Sequence, residues 1–301
     1  MLPFKPVTLE DKANADICTA KHNYRICEHC FADLFIWKDH YDTQICFVNG
    51  YMFIKMATFP DKIPMYLAPI GAGDLKAAML ALEDDARERG IPFAMCGIPE
   101  PLLEQIETVL PGRYTFTDGV DSADYIYSAE KLMTLSGKKL QSKRNFVNRF
   151  KKNYEGRWSY EELTDENRQE AYDFHLHWCS TGDNCPNGMM YSGETCAVTL
   201  ALNNREALGM KGGILRLDGN VIAFTMGCPV SPDTYVIQLE KAEASIAGAY
   251  PMINQQFAQH NCAEYTYINR EDDLGMEGLR KAKQSYHPVM MGKKFLAVKN
   301  A

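Results

Sequence analysis

Residues 135–158 read LSGKKLQSKRNFVNRFKKNYEGRW. Eight basic residues lie between Lys138 and Arg157: Lys138, Lys139, Lys143, Arg144, Arg149, Lys151, Lys152 and Arg157, against one acid, Glu155. The whole chain carries a net charge of −7, so the remainder holds 24 basic and 38 acidic residues. Phe146, Phe150 and Tyr154 fall at i, i+4 and i+8 with Val147 beside them, which predicts a helix with one apolar stripe and most of its cations off that stripe. A cationic band on an acidic body has two readings. It is a solvated helix face joining two halves, or a groove for phosphate, a nucleotide or an RNA end. On either reading it divides the chain into an N-terminal domain 1–136, a basic linker helix 137–157 and a C-terminal domain 158–301.

Outward from this helix, the texture on the two sides is similar. On the N-terminal side, two helical segments are expected in residues 1–40. The run ICFVNGYMFIKMA then places two apolar strands around Asn49-Gly50, a strong hairpin signal. MYLAPIG is a further strand that ends at Gly71-Ala72-Gly73-Asp74. That turn is either a short connection or, before a helix N-terminus, a phosphate cradle. An amphipathic helix from Leu75 to Arg89 stops at Gly90; strand, helix and strand follow. On the C-terminal side the order is strand, helix, helix, hairpin at Asp218-Gly219-Asn220, strand, helix, strand, short helix and closing strand. The patterning repeats across the basic helix, although no residue-level repeat is visible.

Tyr125-Ile126-Tyr127-Ser128, Leu132, Leu135, Gly137-Lys138-Lys139, Lys143-Arg144-Asn145 and Phe150 resemble the central signature of one bacterial family. So do Ile268-Asn269-Arg270-Glu271, Asp273-Leu274-Gly275, Gly278-Leu279-Arg280-Lys281-Ala282-Lys283, Ser285-Tyr286 and Pro288. The family is the soluble proteins similar to the C-terminal catalytic domain of phosphatidylglycerol lysyltransferase. The resemblance implies an α/β fold of two tandem GNAT-like (acetyltransferase-type) domains, each a mixed sheet flanked by helices, and the C-terminal element order matches that fold. It also implies an acyltransferase, with an aminoacyl group moved from charged tRNA. The N-terminal domain would be a degraded, supporting copy.

Several residues are candidates for the chemistry. In TYVIQLEKAE, alternation puts Gln238 and Glu240 on the face opposite Tyr235, Ile237 and Leu239. In a GNAT fold this strand borders the acceptor cleft, where Glu240 would accept a proton from an attacking amine, or is simply a solvent-facing carboxylate. Acetyl-CoA enzymes of this fold carry R/Q-x-x-G-x-G/A before the next helix. Here Ala244 to Tyr250 keeps Gly248, but Ser245 and Tyr250 replace the outer positions, which suits an aminoacyl-tRNA user better than a CoA user. In the Asn269 to Asp273 segment, Asn269 and Arg270 donate hydrogen bonds, while Glu271 accepts them from an ammonium. Arg280 and Lys283 share a helix face and would bind phosphate or stabilise an ester oxyanion. Tyr286 would protonate a leaving oxygen. The same set also reads as a structural ion-pair network. The expected cleft gathers Glu240, Asn269, Arg270, Arg280 and Tyr286, with Lys143 and Arg144 on the 3′ end of tRNA or another phosphorylated partner and a small molecule or peptide as acceptor.

The composition, 46% apolar and 24% charged, is that of a globular chain with material for two cores. No apolar run approaches the roughly 18 residues of a membrane span, and the start lacks the form of a signal peptide. A cytoplasmic protein without stable membrane insertion is expected, its ten cysteines reduced. Cys27-Glu28-His29-Cys30 has no second CxxC and reads as free thiols. His175, His177, Cys179 and Cys185 read as a helix end and an exposed loop, because residues two apart on a helix diverge. No metal and no obligatory cofactor are therefore expected, with aminoacyl-tRNA or acyl-CoA as co-substrate. The alternatives to an aminoacyltransferase are a CoA-dependent N-acyltransferase and a non-catalytic GNAT-derived module that binds a nucleotide or peptide.

Overall fold

A computed structural model describes residues 1–58, 60–180 and 188–300, with 188–192 as backbone only. The expected loop Ser180 to Met189, with Cys185, falls largely outside the described residues. The chain divides into two compact units, residues 1–124 with 292–301, and residues 125–291.

The first unit runs β1 (Lys5–Pro6), α1 (Lys12–Thr19), α2 (Phe31–Ile36), β2 (Gln44–Val48), β3 (Tyr51–Ala57), β4 (Pro64–Leu67), β5 (Ile70–Gly71), α3 (Leu75–Arg89), β6 (Ala94–Pro99), α4 (Glu100–Val109) and β7 (Tyr114–Asp118). The hairpin turns where expected: Asn49 and Gly50 have φ of 50° and 83°, the pair of positive angles that keeps the twist of the two strands continuous. The glycine turn before α3 is a connection. Asp74 caps the helix by accepting a hydrogen bond from the Ala77 N–H at 3.0 Å, so a carboxylate of the chain already holds that N-terminus. Met79, Leu82, Met95, Ile98 and Ile106 pack as a core between sheet and helices.

Glu83 is buried beside this core with three partners. Arg113 donates two hydrogen bonds (2.5 and 2.7 Å), the Tyr114 hydroxyl one (2.7 Å), and the Lys299 ammonium lies at 2.6 Å. Burial pushes its carboxyl up, but these donors outweigh it and hold it at about 2. A depressed carboxylate adds stability above its unfolded value, and that contribution disappears as pH falls through the folded value. Stability of the wild type should therefore drop between about pH 4.5 and 2. In Glu83→Gln that part of the drop should vanish, as read from urea midpoints across this range.

The second unit runs β8 (Asp124–Ser128), α5 (Ala129–Thr134), α6 (Gln141–Asn153), β9 (Trp158–Glu162), α7 (Arg168–Ser180), α8 (Gly188–Asn203), α9 (Arg205–Leu208), β10 (Lys211–Leu217), β11 (Asn220–Ser231), β12 (Thr234–Ala242), α10 (Ala249–Asn261), β13 (Tyr267–Asn269), α11 (Glu277–Gln284) and β14 (Met290–Gly292). Its sheet has the order β14-β8-β13-β12-β11-β10-β9. β15 (Lys294–Lys299) lies in the other sheet, β1-β2-β3-β4-β6-β15-β7, between β6 and β7. Both sheets mix parallel and antiparallel pairs and carry flanking helices, the fold class expected.

The division departs from the expected boundaries at three points. β8, placed in the N-terminal domain by its position in the chain, joins the second sheet, antiparallel to β13. The closing strand, placed in the C-terminal domain, joins the first sheet. The basic helix is not a linker, because Val147 and Phe150 of α6 are buried with Ala249, Met252 and Ile253 of α10 in the second core. Sequence order shows that a strand exists, whereas backbone pairing decides which sheet receives it.

Candidate functional site

β12 and β13 pair in parallel only from Thr234↔Tyr267 to Val236↔Asn269. Beyond Val236, β12 continues against β11 as far as Ala242 while β13 has ended. The gap opens on the side of Glu240, the fourth residue past the last pair. Six segments contribute side chains there: β8, α6, β12, α10, the turn after β13 and the residues after α11. The Arg270 Nη2 donates to Glu240 Oε1 at 2.7 Å, and the Asn254 Nδ2 of α10 donates to Oε2 at 2.9 Å. The Arg270 guanidinium carbon stands 4.8 Å from the Tyr286 ring centre and 5.8 Å from that of Tyr127. The Lys143 ammonium of α6 lies 4.2 Å from the same Tyr286 ring. The Glu240 and Arg270 side chains are only 10% and 13% exposed, so this is a desolvated pair.

Two polar atoms in this cluster are left over. Arg270 Nη1 and Asn254 Oδ1 are buried, and neither has a hydrogen-bond partner among the described residues. Each is the second terminal atom of a group whose first atom binds Glu240. Buried polar groups are nearly always satisfied, so an unpaired donor and an unpaired acceptor held by one carboxylate leave room for the polar group of a water or a ligand. Electrostatics accentuate the site. Burial pushes the Tyr286 and Tyr127 phenols up, against the pull of Arg270, so both stay neutral. Burial and then the Arg270 charge push the Lys143 ammonium down.

The other expected site residues have different surroundings. Gln238 is buried and donates to Cys228 Sγ at 3.2 Å. Asn269 Oδ1 accepts the Glu271 N–H at 2.6 Å, and Glu271 has a φ of 57°, so these two shape the turn after β13. Arg280 makes a two-pronged contact with Asp273, each bond 2.8 Å, and Tyr125 donates to the same carboxylate at 2.6 Å. The Arg280 hydrogen bond, with burial opposing it, holds the Asp273 carboxyl at about 2. Lys283 is buried and donates to the Arg270 carbonyl at 2.6 Å and to the Asp272 carbonyl. The helix face read as an anion site thus fastens the 270–273 turn instead. Its spacing was legible, but the chain's own carboxylate and carbonyls take these cations. Two members of the cluster, Asn254 and Tyr127, were not anticipated. Asn254-Gln255-Gln256, three amides in a row on a helix that is buried at all three, was the available signal for the first.

Arg144, expected on phosphate, donates to the carbonyls of Leu135 (2.5 Å) and Gly137 (3.2 Å) and to Gln141 Oε1, and so caps the loop before α6. Gly248, expected under a pyrophosphate, has a φ of 97°, and a Cβ there would stand 2.9 Å from the Phe146 carbonyl oxygen and 3.1 Å from Phe150 Cβ. The turn before α10 is therefore packed by α6. Pro251, in the first turn of α10, removes one of the N–H groups an anion would use.

The cysteine and histidine readings are local matters. His175 and Cys179 point inward with 3.6 Å between Nε2 and Sγ, and burial holds His175 at about 4. His177 is exposed on the other side of α7. In the first unit the ligand atoms of Cys27, Glu28 and Asp124 lie within 4.8 Å of one another. The Lys294 ammonium contacts all three, at 3.3, 2.8 and 2.7 Å, so a side chain already supplies the cation there.

Residues 19–298 match the family model described as phosphatidylglycerol lysyltransferase, C-terminal. The chain superposes with a TM-score of 0.94 on a conserved protein of unknown function from Bacteroides thetaiotaomicron, 41% identical, over 100% of both chains. It superposes with a TM-score of 0.67 on the C-terminal domain of a putative lysylphosphatidylglycerol synthetase from Agrobacterium fabrum, 16% identical, over 97% of this chain and 92% of that one. An uncharacterized protein of Mycoplasmoides gallisepticum is 26% identical over 58% of this chain, and the match spans only 56% of that relative's length. No helix of the described residues is long and apolar enough to cross a membrane.

Proposed function

The chain belongs to the phosphatidylglycerol lysyltransferase C-terminal family, and from that premise we propose that it transfers an aminoacyl group from aminoacyl-tRNA to an amine or hydroxyl acceptor. The observation that carries this reading is the orphan pair, Arg270 Nη1 and Asn254 Oδ1, at the opening between β12 and β13. An aminoacyl ester presents the complement of that pair, a carbonyl oxygen that gains negative charge and an α-ammonium that needs an acceptor. Arg270 donates to the carbonyl oxygen, and because arginine keeps its charge when desolvated, the donor is ready as the oxyanion forms. Asn254 Oδ1 accepts an ammonium hydrogen. Both Glu240 oxygens already accept hydrogen bonds, so its role is to hold Arg270 and Asn254 in place. In the transfer, the acceptor nitrogen or oxygen bonds to the carbonyl carbon and the bond to the ribose oxygen breaks. The acceptor loses one proton and the ribose oxygen gains one. Tyr286, kept neutral by burial, donates its proton to the leaving oxygen and is restored by the proton the acceptor gives up, and the Lys143 ammonium beside its ring favours the transient negative charge there.

A CoA ester would need the N-terminus of α10 for its pyrophosphate, and α6 packs on that turn at Gly248. The test is incubation with tRNA charged with labelled amino acids and, in parallel, with acetyl-CoA, each with a panel of amines and phospholipid headgroups and mass spectrometry of the products. Protein-dependent transfer from charged tRNA alone is the expected result. Transfer from acetyl-CoA alone, or from neither donor while either is bound, would replace this reading.

A further inference from the structure

Tyr250 stands one turn before Asn254 on α10. Its phenol, pushed up by burial and pulled back by hydrogen bonds to the Ala242 backbone and the Trp178 indole, also feels the charges of Glu240 and Glu194. It therefore links the Glu240 cluster to a second group of side chains at the end of β12. There the Trp178 indole N–H of α7 donates to the Ala242 carbonyl at 3.1 Å. The Lys241 ammonium lies 4.0 Å from the centre of the Trp178 ring and pairs with the Glu194 carboxylate of α8. The Lys241 and Glu194 side chains are only 11% and 23% exposed. An aromatic face with a carboxylate beside it is how a protein holds a desolvated ammonium. Here the chain's own lysine fills that place. The other carboxylates nearby are also used: Glu240 accepts from Arg270 and Asn254, and Asp273 accepts from Arg280 and Tyr125. Lys143 makes no ion pair among the described residues, so at Tyr286 one carboxylate, Glu240, faces two cations, Arg270 and Lys143.

We infer that the site selects aminoacyl groups whose side chains carry no positive charge, and that Lys241 sets this selection by occupying the place between Trp178 and Glu194 that a lysyl or arginyl side chain would need. A cationic side chain entering from the Glu240 cluster meets an excess of positive charge, and each of the three carboxylates it could reach already has a cation. Its ammonium would be desolvated without a partner. A neutral side chain has no charge to desolvate and can lie along the Tyr250 and Trp178 rings. The inference rests on the aminoacyl-transfer reading and adds to it the class of amino acid that is carried.

The experiment is calorimetric titration with norleucinamide and lysinamide, which differ by a methyl group against an ammonium at the end of the same side chain. Wild type should bind norleucinamide more tightly by roughly 10-fold or more, the scale of a like charge brought into a cationic cleft. Lys241→Met leaves Glu194 without this cation and should bring the ratio to unity or reverse it. Lys241→Arg should keep the wild-type ratio. Because Lys241→Met strands a partly buried carboxylate, Glu194→Gln serves as a second variant. With Lys241 no longer balanced by Glu194, lysinamide should bind still more weakly against norleucinamide, and the α-amide of glutamate should bind more tightly than it does to wild type. Thermal midpoints identify the folded variants. A pair that only braces α8 against β12 would move the midpoints and leave the ratios alone. Equal binding of the two amides by wild type, binding of neither, or a wild-type ratio in every folded variant would each overturn the inference. Amide binding is scored without tRNA, so the two readings fail separately. Selective binding with no transfer from charged tRNA removes only the enzyme reading. Transfer of lysyl and neutral aminoacyl groups at equal rates removes only this one.

Discussion

Lys294→Met should unfold the first unit far more easily than wild type, by about 3–5 kcal/mol, the usual consequence of removing one partner of a buried ion pair. Lys294 is 2% exposed on the first residue of β15, and its ammonium lies 2.8 Å from Glu28 and 2.7 Å from Asp124. Asp124 is fully buried, with Oδ2 accepting the Cys27 N–H at 2.8 Å. Without the lysine this buried carboxylate would lose its counter-charge. Glu28 reports the same competition. Burial raises its carboxyl above the ordinary value, and Lys294 is the first group that opposes the rise. In the variant Glu28 should therefore rise further. A raised carboxyl binds its proton in the folded state while the unfolded chain has released it, so stability falls as pH rises. Lys294→Met should thus recover part of its loss on going from pH 7.5 to pH 5, a trend opposite in sign to that of Glu83. Urea unfolding at the two pH values measures it. Lys294→Met combined with Asp124→Asn should be more stable than Lys294→Met alone, since the stranded charge is gone. If the single variant unfolds at the wild-type midpoint, the pair is not what holds β15 in its sheet.

Periodicity carried much of this architecture. Asn49-Gly50 located the hairpin, Asp74 and Gly90 bracketed α3, and the order of elements on both sides of Lys138 to Tyr154 predicted two mixed sheets with helices. Those are local signals, set by residues close in the chain. Strand membership was not local. Nothing in KKFLAVK records that β15 pairs with β6 and β7, because an alternating strand fits either sheet and only the pairing selects one. The cations illustrate the same limit at the site. Arg270 and Arg280 look equivalent in sequence, both near acids and both in the same segment. Their difference lies in how many donors the chain consumes: Asp273 takes two from Arg280, whereas Glu240 takes one from Arg270 and leaves Nη1 over. Phe146 and Phe150 likewise share a stripe on paper. The packing of α6 on α10 turns one into the core and leaves the other at its edge.

That difference in donors decides the last prediction. Arg270→Lys should lower the transfer rate by roughly 10²- to 10³-fold, the effect of losing one oxyanion donor, with a smaller loss of stability than Arg270→Ala. Lysine keeps a positive charge for Glu240, so the buried carboxylate is not left alone. A single ammonium cannot reproduce a guanidinium fork, however: one terminal nitrogen of Arg270 pairs with Glu240 while the other has no hydrogen-bond partner among the described residues, and a lysine that pairs with Glu240 lacks that second planar nitrogen for the carbonyl. The fall should therefore appear in kcat, with KM for aminoacyl-tRNA little changed, because the lost interaction is made as charge develops on the oxygen. Arg280→Ala is the control. It removes the two-pronged contact with Asp273 and loosens the 270–273 turn, so it should lower the thermal midpoint. Where that variant remains folded it should retain kcat within about 10-fold, short of the loss that an oxyanion donor carries. The reverse pattern, with Arg270→Lys active and a folded Arg280→Ala inactive, would move the oxyanion donor to Arg280 and leave the Glu240–Arg270 pair as a brace between β12 and the turn after β13.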